Sequence, residues 1–489
     1  MQKKTDASER QFEANLVPDC SQINSVLHSI NDQQMLKRRM SALLGRFSRG
    51  RSAMALADQV MISGSNFLTN IVLVRGLGLS EYGKYSIAYV LLLYANALQM
   101  SFVASPMLSI APLMSGKEKR QFVSGMLAVQ LLASLLVFAV FALAGAALHI
   151  FTTFYSLPCI FAFAFCVGTF QLQDWLRRYY FLYNKGKFAI GSDFISYFVQ
   201  LVLLFILWRA GHLTLFRTFQ VMCITSVAAL VMGPITDRLR PEIKHLRETW
   251  ARCKSLSRDL LIANQVRWFG VQGVLLIGTG IVGTAAAGGL RATLSLAGPV
   301  NLVLTSIENV IPIRIAEELK RTGAKGAYVL TRRTIVGGTV LFSLLLVPVG
   351  IFGRPILRIL YGPAMMAFYV PMLLQLGSIV VQIASNLWVY FYRGVRDTRA
   401  LLRGNALSAI TSIATVYLFG RLWQAPGIVL ASLLGMASAV MYFMLHWVRH
   451  REELVLRYPT GSLFTPAATV AVSDVESAEI DLVPDGRAE

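Results

Sequence analysis

The stretch that decides the fold is residues 54–106, MALADQVMISGSNFLTNIVLVRGLGLSEYGKYSIAYVLLLYANALQMSFVASP. It contains two apolar runs, 54–74 and 84–106, which are joined by a short turn that includes GLGLSEYG at 76–83. A helix needs about 20 mostly apolar residues to cross about 30 Å of hydrocarbon, so each run is long enough to span a membrane. The stretch therefore predicts two transmembrane helices joined by a tight hairpin turn.

The same pattern continues along most of the chain. Of the 489 residues, 55% are hydrophobic and only 15% are charged, and the mean hydropathy is +0.56. Soluble proteins are about one-quarter charged, so this composition excludes an ordinary soluble globular protein. The predicted spans lie near 54–74, 84–106, 122–147, 154–173, 188–208, 213–235, 266–285, 290–312, 334–353, 366–391, 401–420 and 426–447. We therefore expect an all-α integral membrane protein with about twelve transmembrane helices.

The excess of basic residues has a topological pattern. The chain has 46 Lys and Arg against 26 Asp and Glu, a net charge of +20. A nucleic-acid-binding protein is not usually this apolar, so we expect no nucleic acid partner. If the N-terminus is cytoplasmic, 38 basic residues lie in the inside segments and 8 in the outside ones. This positive-inside distribution predicts that both termini are cytoplasmic.

The longest polar interruption, 236–265, divides the spans six and six. The sequence ADQV at 57–60 opens the first span and ANQV at 263–266 opens the seventh, 206 residues later. Two similar halves related by an axis along the membrane normal are common in transporters. The predicted units are a cytoplasmic extension at 1–53, an N-lobe at 54–235, a cytoplasmic linker at 236–265, a C-lobe at 266–447 and a cytoplasmic acidic tail at 448–489.

Polar side chains recur at helical spacing within four spans, at equivalent places in the two halves. They are Gln59, Ser63, Asn66 and Asn70 in span 1; Tyr85, Tyr89, Asn96 and Gln99 in span 2; Gln265, Trp268, Gln272 and Thr279 in span 7; and Arg291, Ser295, Gly298, Asn301, Thr305 and Glu308 in span 8. Intramembrane polar groups face protein or water, and single stripes often serve only as interhelical hydrogen bonds. Four stripes in equivalent places favour a shared hydrophilic cavity.

Three charged residues lie about 20 residues from the outer turn of their hairpin: Asp58, Arg267 and Glu308. At 1.5 Å per residue they share a depth of about 30 Å, near the cytoplasmic face. Our hypothesis is an ion-pair layer that closes the cytoplasmic side when the outside is open. The alternative is that all three side chains reach water at the interface.

Two arginines lie near the outer ends of their spans, Arg75 and Arg291. A guanidinium matches phosphate geometry and can attract an anionic head group. The more common role is to anchor a helix end at the interface. Both interpretations stay open at this point.

The sequence offers little support for nucleotide binding, metal binding or catalysis. The run GTGIVG at 278–283 formally matches a dinucleotide-binding fingerprint, but it lies inside an apolar span and follows no strand. The five cysteines are scattered and have no zinc-ligand spacing, and no catalytic triad or nucleotide-binding loop is recognisable. We expect no enzyme activity, no cofactor and no metal site.

Short motifs carry a resemblance to a known family. The segment RGLGLSEYG at 75–83 resembles the R-x-L-G-x-x-x-Y-G turn of polysaccharide flippases in the multidrug/oligosaccharidyl-lipid/polysaccharide exporter (MOP) superfamily. Further likeness lies in DWLRR at 174–178, LYGP at 360–363 and YRG at 392–394. The resemblance covers roughly 54–447. It implies two six-helix lobes around a central cavity lined by spans 1, 2, 7 and 8.

The resemblance also implies a function. Such proteins flip polyprenyl-pyrophosphate-linked oligosaccharides across the bacterial inner membrane, commonly with proton or sodium coupling. On this interpretation Arg75, Arg267 and Arg291 attend the pyrophosphate, and Asp58 or Glu308 carries the coupling ion. The residues expected to bind sugars are Asn66, Asn70, Asn96, Gln272 and Asn301. A polysaccharide polymerase or export machinery is a candidate partner.

Two alternatives remain open from the sequence. A cation-coupled multidrug antiporter of the same superfamily would prefer an acidic and aromatic cavity. A membrane polysaccharide polymerase or glycosyltransferase would need a sizeable extracytoplasmic loop, whereas each predicted outside loop has about a dozen residues or fewer.

Overall fold

The computed structural model describes residues 20–237, 240–268, 272–296, 298–395 and 397–458, and every regular element in these ranges is helical. The α-helices are α1 Cys20–Gln99, α2 Ser105–Ile110, α3 Gly116–Phe151, α4 Leu157–Leu182, α5 Gly186–Asp193, α6 Gln200–Arg209, α7 Leu215–Asp237, α8 Leu246–Trp268, α9 Val274–Val282, α10 Thr284–Ser295, α11 Gly298–Tyr361, α12 Tyr369–Gly394 and α13 Thr398–Arg457. Short π-helical or 3₁₀ segments join several of them, at 100–104, 111–113, 194–199, 243–245 and 363–368. The chain is therefore all-α, as predicted.

Seven helical segments among the described residues are long and apolar enough to cross a membrane. The longest of them exceed one crossing, since Asp58–Leu113 has 56 residues and Thr398–Arg457 has 60. At 1.5 Å per residue each would extend more than 80 Å if straight, against about 30 Å of hydrocarbon. Helical geometry breaks within each, at Gly78 and at Gln424. The protein is thus a multi-pass membrane protein, and the count of twelve spans stays a prediction.

The chain reverses at residues in the left-handed backbone region. Gly78 and Gly283 have φ of 79° and 97°, values that glycine adopts without steric cost. Gly78 lies between the first two predicted spans, whereas Gly283 lies inside the predicted span 266–285, where the structure ends α9. The two glycines are 205 residues apart, close to the 206-residue offset of the sequence repeat. Gly116 and Gly323 form a second such pair, 207 residues apart. The recurrence of turns is what a duplicated chain would produce, and the domain boundaries remain predictions.

Within each half, the helices pack against one another in pairs. In the first half α3 packs on α4 and α4 on α7; in the second half α11 packs on α12 and α12 on α13. The main contact between the halves is α10 against α1. Large aromatic side chains such as Tyr82, Phe219 and Trp388 are buried in one continuous apolar core.

The outer faces of the helices remain apolar. On α3, Leu132, Leu135, Leu136 and Leu143 are each more than half exposed. In water such a surface would be costly, whereas hydrocarbon chains cover it without penalty. This distribution fits a lipid-facing helix surface.

Candidate functional site

A cavity of about 270 Å³ lies between the two halves. Both halves of the chain line it. The first half contributes the segments of α1 before and after Gly78, and the second half contributes α10 and the start of α11. The lining residues are Gln59, Ser63, Asn66, Phe67, Thr69, Asn70, Tyr85, Tyr89, Arg291, Leu294, Ser295 and Gly298. The polar stripes predicted on spans 1, 2 and 8 therefore meet at one place.

Hydrogen bonds within α1 orient the amides on the cavity wall. Asn70 Nδ2 donates to the carbonyl of Asn66, 2.7 Å away, one helical turn earlier. The hydroxyl of the fully buried Tyr82 donates to Asn70 Oδ1 across the hairpin. Near the other end of the stripe, Gln59 Nε2 donates to Ser63 Oγ over 3.4 Å. The Asn70 amide is thus held in place, while Asn66 presents its side chain to the cavity.

Arg291 brings a positive charge into the cavity from the second half of the chain. Its half-buried guanidinium lies 4.4 Å from the ring centroid of Tyr89, which belongs to the first half. Such a cation–π contact orients a guanidinium while leaving its N–H groups free to bind an anion. None of the twelve lining residues is acidic. The described lining is therefore cationic and rich in hydroxyl and amide groups.

On one side of the cavity the two halves meet through glycines. The turns at Gly78 and Gly283 place the start of the second α1 segment against α10. An added Cβ at Gly83 would lie 1.9 Å from the Thr284 carbonyl oxygen, and one at Gly288 would lie 2.6 Å from that of Leu79. Only residues without a Cβ allow two helix backbones to approach this closely. Ser80 and Thr284 add a hydroxyl–hydroxyl hydrogen bond of 3.3 Å across the same contact. We call these contacts the outer closure, because the predicted topology assigns them to the outside.

Arg75 lies at this closure and not among the cavity-lining residues. Its Nε donates to the carbonyl of Leu360 over 2.8 Å, and its Nη2 donates to the carbonyl of Ile359. These are two of the carbonyls that a helix leaves unpaired at its C-terminus, here the end of α11. Arg75 thus joins the first half to the second, and its predicted role toward pyrophosphate remains a prediction.

A buried ionic cluster occupies the first half. Arg177 on α4 pairs with Asp58 on α1, with 2.9 Å between Nη2 and Oδ2. Its Nε lies 2.6 Å from Asp193 Oδ2 on α5, and Asp193 Oδ1 accepts a 2.9 Å hydrogen bond from Gln173. Both carboxylates are at least 99% buried. Two carboxylates share one guanidinium, so the three side chains together carry one excess negative charge when both carboxyls are ionised.

The remaining predicted site residues are placed as follows. Asn96 is half-buried and its Oδ1 has no hydrogen-bond partner among the described residues, while Gln272 is half-buried outside the cavity lining. The side chains of Arg267, Asn301 and Glu308 lie outside those that the structure describes. The hypothesis of an ion-pair layer involving Asp58, Arg267 and Glu308 stays a prediction, and the partner that the structure gives Asp58 is Arg177.

Sequence reasoning missed the ionic partners of Asp58. By sequence Arg177 is one of the 38 basic residues of the predicted inside segments, whereas in the structure it contacts two buried carboxylates. A usable signal was Asp193, an acidic residue inside the apolar segment 188–208. Intramembrane acids are costly unless they are paired, and so they indicate a partner.

Known proteins resemble this chain in structure and not in sequence. No family model matches the sequence, and no curated protein matches it. The lipid II flippase MurJ in an inward closed conformation superposes with a TM-score of 0.61 at 13% identity, covering 83% of this chain and 90% of that one. An inward-facing multidrug resistance MATE family transporter of the MOP superfamily gives 0.62 at 11% identity, covering 82% and 96%. The chain has the MOP-superfamily fold.

The MOP fold agrees with the architecture expected from the sequence. An outward-facing multidrug resistance MATE family transporter of the superfamily superposes less well, with a TM-score of 0.51 at 10% identity, covering 83% of this chain and 97% of that one. The solved relatives named here are transporters, and at these identities the likeness concerns the fold alone.

Proposed function

We propose that this protein is a flippase that moves a polyprenyl-pyrophosphate-linked oligosaccharide across a bacterial inner membrane by alternating access. The product would serve the synthesis of an exopolysaccharide, a capsule or O-antigen. The observation that carries the proposal is the cavity between the halves, whose described lining combines the Arg291 guanidinium with amides and hydroxyls and contains no acid. A pyrophosphate needs a cation, and a sugar needs hydrogen-bonding groups and aromatic faces.

Each part of the lining has a role in this proposal. Arg291 binds the pyrophosphate, and Arg75 and Arg267 attend it at other stages of the cycle. Asn66 and Asn70 hydrogen-bond sugar hydroxyls. Asn96, Gln272 and Asn301 would extend the sugar path along the interface between the lobes.

Alternating access requires that one side opens while the other closes. The outer closure, with the glycine contacts at Gly83 and Gly288, corresponds to the outside-closed state of such a cycle. In the outside-open state these contacts would separate, and Asp58, Arg267 and Glu308 would form the cytoplasmic gate.

Coupling to an ion is part of the proposal. Asp58 is buried next to Arg177 and Asp193, where two carboxylates face one guanidinium. A buried excess negative charge is costly, and a proton or a sodium ion would neutralise it. Glu308 is the second candidate for this role.

The alternatives are less well supported. A multidrug antiporter for cationic compounds would need a cavity carboxylate, and the described lining has Arg291 in its place. A polysaccharide polymerase or glycosyltransferase finds no counterpart among the structural neighbours named above. The charge distribution supports cytoplasmic termini, and a polysaccharide polymerase or export machinery would receive the flipped product.

The test is to deplete the protein in cells that make the glycan and to locate the lipid-linked repeat units. We expect them to accumulate on the cytoplasmic leaflet, and we expect the native chain and an Arg209→Gln variant to restore export. Arg209 is an exposed arginine outside the cavity and serves as the matched control for Arg291→Gln, which should not restore export. Normal export during depletion would refute the proposal.

A further inference from the structure

A second cavity, of about 590 Å³, lies in the first half of the chain, away from the cavity between the lobes. It is formed by the beginning of α3, the end of α4, the turn that follows α4 and the segment just before α8. Its lining residues are Gly116, Lys119, Arg120, Val123, Ser124, Tyr179, Tyr183, Lys185, Arg240 and Glu242. All of these segments lie on the side predicted to be cytoplasmic.

The lining of this pocket is strongly basic. Lys119, Arg120, Lys185 and Arg240 contribute four positive charges against the single carboxylate of Glu242, a net charge of +3 within one concave surface. The pocket also lies at the N-terminus of the 36-residue helix α3, where backbone N–H groups add positive potential. Anions would be concentrated here by both contributions.

The pocket walls are held in place by contacts on the protein side. The Glu242 N–H donates to the Ser124 carbonyl over 3.3 Å, which fastens the segment before α8 to α3. The Lys119 ammonium lies 4.8 Å from the ring centroid of Tyr183. Asn184 adopts a left-handed conformation with φ of 58°, and the Lys185 N–H donates to the Tyr180 carbonyl over 2.7 Å. The lysines and the tyrosine ring are thus half-buried parts of a formed site and not freely moving surface groups.

Apolar residues next to the pocket indicate where its ligand comes from. Leu113, three residues before Gly116, is 87% exposed, and Ile243, immediately after Glu242, is 75% exposed. Exposed Leu and Ile beside cations at the cytoplasmic ends of spanning helices are typical of a surface that dips into the lipid interface. Basic pockets at this level bind the head groups of anionic lipids.

We propose that this pocket is a binding site for the phosphate of an anionic phospholipid head group in the cytoplasmic leaflet. Lys119, Lys185 and Arg240 hold the phosphate oxygens by charge-assisted hydrogen bonds. Leu113 and Ile243 contact the upper part of the acyl chains. Because Arg240 lies on the segment that joins the lobes, a bound lipid ties that segment to α3.

The test measures binding of short-chain lipids to the full-length protein in a neutral detergent. Dioctanoyl phosphatidylglycerol should raise the Tm in a saturable manner, and dioctanoyl phosphatidylcholine at the same concentration should not. Each cation near an anionic surface contributes roughly a fivefold change in affinity. The variant Lys119→Gln/Lys185→Gln/Arg240→Gln removes three cations and should therefore raise the apparent Kd by about a hundredfold.

The matched control is Lys117→Gln/Lys187→Gln/Arg247→Gln. It removes the same charges from exposed neighbours that do not line the pocket, and its Kd should change by less than about twofold. Lys119→Gln and Arg240→Gln alone should each weaken binding severalfold, so the test does not depend on the folding of the triple variant. An unchanged Kd in the pocket variants, or an equal loss in the control, would overturn the proposal. Full competition by inorganic phosphate at the lipid's own concentration would also overturn it, in favour of a soluble phosphate ligand.

Discussion

Arg291 is the residue on which the substrate assignment depends. It reaches the cavity from the second half of the chain and packs on Tyr89 of the first half. A guanidinium binds two phosphate oxygens in parallel, whereas an ammonium acts as a point charge. The side chain therefore combines charge, geometry and a contact between the lobes.

Replacing Arg291 should separate these contributions. Arg291→Gln should reduce flipping of a lipid-linked oligosaccharide in proteoliposomes by at least about tenfold, the size of one lost charge-assisted hydrogen bond or more. Arg291→Lys should retain an intermediate rate. Arg209→Gln should flip at the native rate. A native rate in Arg291→Gln would mean that the cavity does not bind an anion.

Asp397 gives a prediction about pH. It begins α13 by accepting a 2.9 Å hydrogen bond from the Ala400 N–H, and its other oxygen lies 3.0 Å from His446 Nε2. Partial burial raises the pKa of the Asp397 carboxyl, whereas the hydrogen bonds from the Ala400 N–H and from His446 lower it by a larger amount. The pKa therefore lies below its usual range. Because this pKa is lower in the folded protein than in the unfolded chain, the ionised carboxyl of Asp397 stabilises the fold at pH values above its unfolded pKa, which is about 4. This stabilisation is lost as the pH falls through the lower pKa of the folded state.

The two substitutions at Asp397 should behave differently. Asp397→Ala should lower the Tm at pH 7 because it removes a helix cap worth about 1 kcal/mol. Asp397→Asn should lower it less, since an amide can still cap the helix. Both differences from the native protein should shrink as the pH is lowered below about 4. Thermal unfolding in detergent across this range measures them, and a difference that grows toward acid pH would contradict the assignment.

For individual side chains, helical periodicity predicts which of them share a face, and the sugar-binding roles of Asn66 and Asn70 stay predictions. Asn66 and Asn70 are four residues apart, so helical periodicity alone places them on one face, and the structure places both at the cavity. Helical periodicity could not predict the contact of Arg75, because the carbonyl that accepts its hydrogen bond belongs to Leu360, 285 residues away. The pair of Asp58 with Arg177, 119 residues apart, was missed for the same reason.

At the scale of elements, the close approach of α10 to the second segment of α1 defines the conformational state. Gly83 and Gly288 permit backbone contact between these helices, and side chains at either position would collide with a carbonyl oxygen. Because a carbonyl on a helix cannot move aside as a flexible side chain does, the helices themselves would have to separate. The outer closure should therefore be sensitive to a single methyl group.

Gly288→Ala should shift the protein toward the outside-open state. Forcing extra volume into a packed contact costs about 1–3 kcal/mol, which changes a two-state ratio by about fivefold or more. The measurement is labelling of a cysteine at the cavity, Ser63→Cys, by a membrane-impermeant maleimide added from outside. Labelling should increase with Gly288→Ala and stay low with Gly337→Ala, where an added Cβ meets nothing within 4 Å. Equal labelling in both backgrounds would show that the glycine contact does not close the outer side.

The first turn was predictable, but the end of the seventh predicted span and the lengths of the helices were not. The short glycine-containing link predicted the reversal near Gly78, because glycine tolerates a positive φ at no cost, whereas the break at Gly283 falls inside the predicted span 266–285. No pattern in the sequence predicts that α1 begins as early as Cys20 or that α13 continues to Arg457. Hydropathy reports where a helix enters lipid, and a helix can continue into water without a change in its backbone pattern.

For the whole molecule, composition and hydropathy were enough to predict an all-α membrane fold, and the sequence repeat added the prediction of two related halves. The MOP fold supports that architecture, and the turn pairs recur at nearly the predicted offset. Which surfaces of the halves meet was beyond the sequence, since that depends on shape complementarity at glycines far apart in the chain. The conformational state likewise follows from those contacts.

The central claim is that lipid-linked oligosaccharides cross through the cavity by opening and closing of the two lobes. Ser80 and Thr284 come from opposite lobes, and their hydroxyl oxygens are 3.3 Å apart at the outer closure. Cysteines at both positions, Ser80→Cys/Thr284→Cys, should form a disulfide that locks the outer side shut. The single variants Ser80→Cys and Thr284→Cys are the controls.

The measurement is flipping of a fluorescent polyprenyl-pyrophosphate oligosaccharide in proteoliposomes, followed by chemical quenching of the label on the outer leaflet. We expect the native protein and the single variants to flip the lipid, the oxidised double variant not to flip it, and reduction to restore its activity. Flipping by the oxidised double variant at the native rate, or no flipping by the native protein above protein-free liposomes, would contradict the proposed mechanism.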